Sequence, residues 1–363
     1  MCFVTHQFKT GGVEKLFITY ANNLKEEICL LPVNCSFDNI YNDLPDSVTV
    51  IKTPKIISSK ENAISYLLKL IFLYFELVIL RKQGKLIFIN FSDTLSSLLL
   101  TYFLGGHSGY SWIHLNPEVL RDSRFFCFYN ILYSRMKKII CICNDQKKIF
   151  EKFFKRVDRK KIEVIRNCID AKEVNKKTTC DLPNTFIDKK FILMVARIDT
   201  RSKDFITLID AYDKLSANIK SNYVLVILGD GNDYNQINNI IKKKGLSENI
   251  IMVGRDNNPY KWMSKCSLFI HSSKAEGFGL VIVEAMQCGA PVIATDCNVG
   301  PREILDNGKY GILIKVGDVN GCVDAIQYML SDSNYKSYKA KSLARAQDYN
   351  VNISIRQIKK IIV

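Results

Sequence analysis

The 363-residue sequence predicts an α/β protein made of two doubly wound domains, each a parallel sheet covered by helices on both faces. Three observations carry this. The chain is longer than one hydrophobic core usually organises, so it divides. Strand-length apolar runs alternate with helical stretches through both halves, and the runs are continuously Val/Ile/Leu-rich, as in strands buried on both faces. Between the halves, "DAKEVNKKTTCDLPNTFIDKK" (170–190) loses periodicity and gains polar residues and Pro183, as a connection does.

In chain order, the first half offers "CFVTH", "KLIFINF", "YSWIHL", "KIICICN" and "IEVIRN" as strands. The second offers "KFILMVA", "NYVLVILGDG", "NIIMVG", "CSLFIHSS" and "APVIATD". The expected organisation is a first domain over 1–170, a linker over 171–190, a second domain over 191–345, and a closing amphipathic helix over 346–363, where "NISIRQIKKIIV" falls. The longest apolar run, "AISYLLKLIFLYFELVIL" (63–80), is interrupted by Lys69 and Glu76. As a helix it would span about 27 Å against the roughly 30 Å of a bilayer core, so a buried helix is expected rather than a membrane span. The N-terminus enters a strand directly, with no basic segment leading into an apolar stretch, so no secretory signal is expected.

Hydrophobic residues make up 47% and charged residues 24%, the balance of a soluble globular protein. The twelve cysteines are scattered and include no C-x-x-C pair. They read as reduced, mostly buried thiols in a cytoplasmic setting, with no zinc site. The formal charge of +15 is uneven: residues 1–183 hold 27 basic and 18 acidic side chains. Within "KKIFEKFFKRVDRKK" (147–161), eight of fifteen residues are basic and Phe150, Phe153 and Phe154 lie between them. A solvated helix face, a nucleic acid, an anionic membrane face or an anionic substrate would each suit that stretch.

Ligands of open parallel sheets sit beyond the carboxyl ends of the strands, so the residues just past each strand carry the most information. Arg197 and then Lys203 come after "FILMVA"; "GDGND", opening with Gly229, comes after "VLVIL"; Gly254 and Arg255 stand at the end of "IIMVG". "LFIH" leads into "SSKAEGFGLVIVEAM" (272–286), where Glu276 and Glu284 lie eight positions apart around Gly277, Phe278, Gly279 and Leu280. Cations, a small turn and a glycine-preceded helix N-terminus together suit a diphosphate. Taken alone, Glu276 would serve equally as a helix cap and Glu284 as a solvated acid. Neither G-x-G-x-x-G nor a P-loop is present, since "GDGNDY" ends in Tyr234 and "GFGLVI" in Ile282.

"ARIDTRSKDF", "ILGDG", "SSKAEGFGLVIVEAMQCGAPVIATD" and "GPREILDNGKYGILIKVGD", in this order, resemble the C-terminal domain of family 4 retaining glycosyltransferases. "GGVEK", "WIHLNP" and "VIRNCID" resemble the other half of the same two-domain architecture. The resemblance covers nearly the whole chain and implies a GT-B fold, two Rossmann-like domains facing a central cleft. It also implies transfer of a sugar from a nucleotide sugar, commonly UDP-linked, with the anomeric configuration retained and neither metal nor other cofactor. It assigns Glu276 to the donor sugar hydroxyls, Glu284 to the ribose, Arg197 and Lys203 to the diphosphate, Gly11 and Gly12 to an N-terminal loop beside the donor phosphate, and His114 to the donor sugar. Arg201 competes for the diphosphate, because Lys203 stands one residue further from Arg197 than in many members. The basic N-terminal half is similar to enzymes that build lipopolysaccharide, O-antigen or capsule on lipid carriers at the inner face of the cell membrane. The expected partners are therefore a nucleotide sugar, a saccharide or lipid-linked acceptor and an anionic membrane face, with no nucleic acid. A catalytically silent sugar-nucleotide binder and a basic nucleic-acid-binding protein are the alternatives.

Overall fold

The structure is a computed structural model describing residues 1–6, 8, 11–33, 42–51 and 86–362. The apolar run 63–80 lies outside the described residues. The chain forms two compact units: Met1–Asn167 with Val351–Val363, and Cys168–Asn350.

The first unit holds a seven-stranded sheet of β1 (Cys2–Thr5), β2 (Ile28–Pro32), β3 (Val48–Val50), β4 (Phe88–Asn90), β5 (Tyr110–Ile113), β6 (Lys138–Cys141) and β7 (Ile162–Val164). Their order is β3-β2-β1-β4-β5-β6-β7 with every pairing parallel. The second unit holds β8 (Lys190–Val195), β9 (Tyr223–Leu228), β10 (Ile250–Gly254), β11 (Leu268–His271), β12 (Val292–Thr295) and β13 (Ile312–Ile314), ordered β10-β9-β8-β11-β12-β13, again parallel throughout. In each sheet the winding direction reverses once, between β1 and β4 and between β8 and β11. At such a reversal the connections leave in opposite directions and open a crevice beyond the strand ends, where ligands bind.

Ten strands fall where the apolar runs predicted them. The three not anticipated are β2, β3 and β13; β3 and β13 are three-residue edge strands, as is the anticipated β7. Edge strands need no long apolar run, because one side has no neighbour to pair with. Side-chain caps start many of the helices: Thr94 for Leu95–Gly105, Asp204 for Phe205–Asp213 and Asp318 for Val319–Met329 each accept from a backbone N–H of the first turn.

Residues 171–190, expected as a linker, are structured. Asp170 accepts from the amides of Lys172 and Glu173 and starts the helix Ala171–Thr178. That helix buries Val174 and packs on the helices Tyr260–Met263 and Leu280–Gln287 of the second unit. One apolar residue and a cap suffice here, so the polar composition misled. The final helix, Val351–Ile361, packs on Gly12–Asn23 of the first unit.

The basic run 147–161 also differs from a plain solvated helix. The helix Asn144–Phe153 ends within it. Phe150 and Phe154 are fully buried and stacked on each other, with ring centroids 4.2 Å apart. Those aromatics therefore belong to the core, while Lys148, Lys152, Lys155 and Arg156 around them are exposed.

Candidate active site

In the second unit the reversal between β8 and β11 brings two strand ends together. The chain leaving β8 returns as far as Lys203, whose backbone bridges Ser273 just beyond β11. Ser272 Oγ donates to the Asp204 carbonyl oxygen at 2.8 Å and fastens the two connections. Lys203 and Glu276 are thus brought into an ion pair, with side-chain exposures of only 16% and 12%. Ser273 Oγ donates to Glu276 Oε1 at 2.9 Å, and His271 Nε2 lies 2.9 Å from the same oxygen.

This placement excludes the helix-cap reading of Glu276. The helix Leu280–Gln287 begins after Gly279 in the left-handed conformation, φ +88°, and has no side-chain cap. The chain bends at Gly277 and then passes through the left-handed Gly279 into the helix. Burial by itself would raise the Glu276 carboxyl, but His271 and Lys203 outweigh it and hold the group below the ordinary carboxylate range. Burial pushes His271 down in turn, which makes it a neutral imidazole at neutral pH.

Glu284 is buried inside the helix, where the Tyr260 hydroxyl donates to its Oε1 at 2.8 Å. Burial and the neighbouring carboxylate push that phenol up, so it stays a donor. Glu276 and Glu284 are therefore held by separate partners on separate elements. Arg197 follows β8 and is exposed, with no side-chain hydrogen bond to any described residue. Arg201 is engaged elsewhere: its guanidinium donates to both oxygens of Asp199, at 2.9 and 3.1 Å. Competition from Arg201 for an anion thus requires giving up that bidentate pair, whereas Arg197 gives up none.

The turn after β9 is shaped by close backbone approach. A Cβ on Gly229 would stand 1.9 Å from the Ala196 carbonyl oxygen, next to Arg197, so only glycine fits. Gly229 N donates to the Gly254 carbonyl oxygen at 2.8 Å, which draws in the end of β10 with the exposed Arg255 beyond it. Phe278 is buried edge-on against Tyr349, and Leu280 opens the helix.

In the first unit, Gly11 caps and Gly12 begins the helix after β1, and a Cβ on Gly12 would meet nothing within 4 Å. His114 follows β5. Its ring is buried against Phe91 and Trp112, and neither ring nitrogen has a hydrogen-bond partner among the described residues. Burial pushes it down to about 3, so it too is neutral.

Four residues around these positions escaped the sequence reading: His271, Ser273, Tyr260 and Asp93. Asp93 Oδ2 accepts the backbone N–H groups of His114, at 2.9 Å, and Leu115, at 2.8 Å, and so fixes the loop that carries His114. Burial pushes its carboxyl up to about 7, with those two donors pulling the other way. A signal existed for it, since "NFSD" continues directly from a predicted strand. The strand-end rule that picks out Arg197 and Lys203 in the second half applies equally to Asp93 in the first.

The family described as glycosyl transferases group 1 matches residues 183–347, the stretch that carries Arg197, Lys203, Glu276 and Glu284. Over 195 residues this chain is 35% identical to the N-acetylgalactosamine-N,N'-diacetylbacillosaminyl-diphospho-undecaprenol 4-alpha-N-acetylgalactosaminyltransferase of Campylobacter jejuni, a match spanning 53% of this chain and only 51% of the relative. A second Campylobacter jejuni protein, the GalNAc-alpha-(1->4)-GalNAc-alpha-(1->3)-diNAcBac-PP-undecaprenol alpha-1,4-N-acetyl-D-galactosaminyltransferase, is 21% identical over 96% of this chain and 94% of its own. Among solved structures, Anabaena Alr3699/HepE in complex with UDP superimposes with a TM-score of 0.79, covering 99% of this chain and 98% of that one at 19% identity. That likeness bears on fold, and it agrees with the GT-B class of two Rossmann-like units that the resemblance implied.

Proposed function

We propose that the protein is a retaining glycosyltransferase that moves a sugar from a UDP-linked donor to a saccharide or lipid-linked saccharide acceptor during assembly of a surface polysaccharide. The observation that carries this reading is the second-unit site: a half-buried, ionised Glu276 beside Lys203, with Arg197 on the same connection as Lys203, at the sheet's reversal point. The relatives support the finer parts. Two are named for transfer to undecaprenol-diphosphate-linked saccharides, and HepE was solved with UDP.

The chemistry is set by where charge develops. As the bond from the anomeric carbon to the phosphate oxygen breaks, the sugar becomes oxocarbenium-like and the diphosphate gains negative charge. Donors already aimed at that charge lower the barrier most. Arg197, Lys203 and the amides at the start of Leu280–Gln287 are those donors, while Glu276 accepts from the donor sugar hydroxyls. The acceptor attacks from the leaving-group side and the departing phosphate takes its proton, which gives retention without a carboxylate nucleophile. A panel of nucleotide sugars screened by thermal stabilisation, followed by transfer assays with the stabilising donor, tests this. Stabilisation by UDP and one UDP-sugar is expected, with transfer to a lipid-linked saccharide. Stabilisation without turnover on any acceptor would favour the silent binder, and salt-dependent binding to nucleic acid alone would favour the other alternative.

Because protein cations supply the charge, we expect no metal or other cofactor. Activity should survive EDTA within about twofold, in line with a phosphate site built from side chains. Strict dependence on Mg²⁺ or Mn²⁺ would reject it.

A cytoplasmic protein resting on the inner face of the cell membrane fits the proposed acceptor. Among the described residues, no helix is long and apolar enough to cross a membrane. The first unit exposes Phe128 (60%) and Ile131 (39%) one turn apart on the helix Phe126–Arg135, with Phe125 just before it and the exposed Arg124 and Arg135 at either end. An apolar stripe between cations suits an anionic lipid surface. The protein is expected to sediment with anionic vesicles at low salt and to release at high salt. Reversing Arg124, Lys148 and Lys152 to Glu should abolish this, and Phe128→Ser should weaken it. Equal binding to neutral and anionic vesicles would count against the electrostatic part.

A further inference from the structure

The geometry points to His271, together with Ser273, as the positioning group that decides which oxygen of Glu276 meets the donor sugar, an assignment that rests on the transfer reading above. Three donors converge on one atom. His271 Nε2, Ser273 Oγ and Lys203 Nζ all contact Glu276 Oε1, the first two at 2.9 Å each. An oxygen with three donors has no lone pair to spare, so Oε2 is the one left for a ligand hydroxyl.

The ring proton of His271 can be located by elimination. Its Nδ1 is buried with no hydrogen-bond partner among the described residues. A proton there would be a buried donor with nothing to receive it, a costlier arrangement than a bare lone pair. The proton therefore sits on Nε2 and is donated to Glu276. Ser273 Oγ lies 3.1 Å from the same nitrogen, accepts from Lys203 Nζ at 3.3 Å and gives its own proton to Glu276. Each hydrogen thus has one destination.

The holding groups are themselves fixed by the sheet. His271 is the last residue of β11 and is in register with Ala294 of β12. Ser273 N donates to Thr295 Oγ1 at 2.8 Å. A carboxylate oriented by strand residues is set before the donor arrives and needs no reorganisation as the anomeric bond breaks.

The arrangement also sets the charge of Glu276. The titratable groups facing it are His271 from β11, Lys203 from the connection after β8, and the Cys297 thiol after β12, which burial and then Glu276 push up to about 12, so that it stays neutral. Without His271, only Lys203 and the Ser273 hydroxyl would oppose burial. The carboxyl would rise, and the acid limb of the rate profile would move to higher pH.

The test compares His271→Leu, His271→Gln and the parent protein in kcat, donor KM, UDP affinity and pH profile. His271→Leu is expected to lower kcat by about tenfold or more while UDP affinity stays within about twofold. Its acid limb should move upward by about one pH unit. His271→Gln keeps an N–H donor and should recover most of kcat with the parent's acid limb. Ser273→Ala should act in the same direction as His271→Leu, more weakly. Unchanged kcat and acid limb in His271→Leu would overturn the assignment. So would parallel losses of kcat, UDP affinity and melting temperature that His271→Gln fails to repair, since that pattern belongs to packing. If the parent bound UDP and its sugar but transferred to no acceptor, the transfer reading would fail separately. Positioning would then be read from the preference for UDP-sugar over UDP, which His271→Leu should lose and His271→Gln keep; a preference unaltered in His271→Leu would reject it.

Discussion

Glu276→Gln is expected to lower kcat by about two orders of magnitude while leaving UDP affinity nearly intact, the pattern of a contact that tightens only in the transition state. The amide keeps the shape but removes the charge beside Lys203, and it sets an NH₂ group among the three donors that now meet the carboxylate. Glu284→Gln is expected to behave differently. Glu284 lies on the helix proper, held by Tyr260, and its assigned partner is the ribose, a contact present before, during and after transfer. Such a contact changes binding, so the donor KM should rise by about tenfold and inhibition by free UDP should weaken by a similar factor, with kcat little changed. Steady-state kinetics with UDP as product inhibitor separates the two. Equal loss of UDP affinity in both variants, with kcat intact, would sink the division of labour.

Replacing Lys203 or Arg197 by alanine should cut kcat/KM by about two orders of magnitude, the usual cost of losing one charge partner of a developing oxyanion. The two variants should differ in a second respect. Arg197 is exposed and hydrogen-bonds no carboxylate among the described residues, so on the proposed role Arg197→Ala should remove a phosphate partner only. Lys203 is one of the groups that hold Glu276 ionised, so Lys203→Ala should also move the acid limb upward. A rate profile in which both variants keep the parent's acid limb would show that Lys203 acts on phosphate alone. If neither variant lost more than a few-fold in kcat/KM, the diphosphate would have to be neutralised elsewhere.

Much of the scaffold could be read from the residues because parallel strands buried on both faces leave long apolar runs. β8, β9 and β11 stand out for that reason, whereas the edge strands β3 and β13 have only one neighbour and three residues each. The helix Ala171–Thr178 was hidden by a polar sequence that buries a single valine. In the site, the positions of Lys203 and Glu276 beyond their strands came from the strand-end rule, but their ion pair did not. It depends on which two strands adjoin the reversal, and that is a property of sheet order. His271, Ser273 and Tyr260 were invisible for a related reason: each is an ordinary strand-end or helix residue until the fold sets a carboxylate against it. The interleaved Phe150 and Phe154 show the opposite error, aromatics that looked exposed beside lysines and instead fill the core.

The path of the chain through the two units has a temporal consequence. The first unit is assembled from both ends of the sequence, with Val351–Ile361 laid against Gly12–Asn23, while Cys168–Asn350 forms the second unit without interruption. As the polypeptide emerges from the ribosome, the second unit is complete in sequence before the first has received the helix that packs on Gly12–Asn23. The N-terminal sheet, although made first, must therefore wait through the synthesis of an entire intervening domain with the surface of Gly12–Asn23 uncovered.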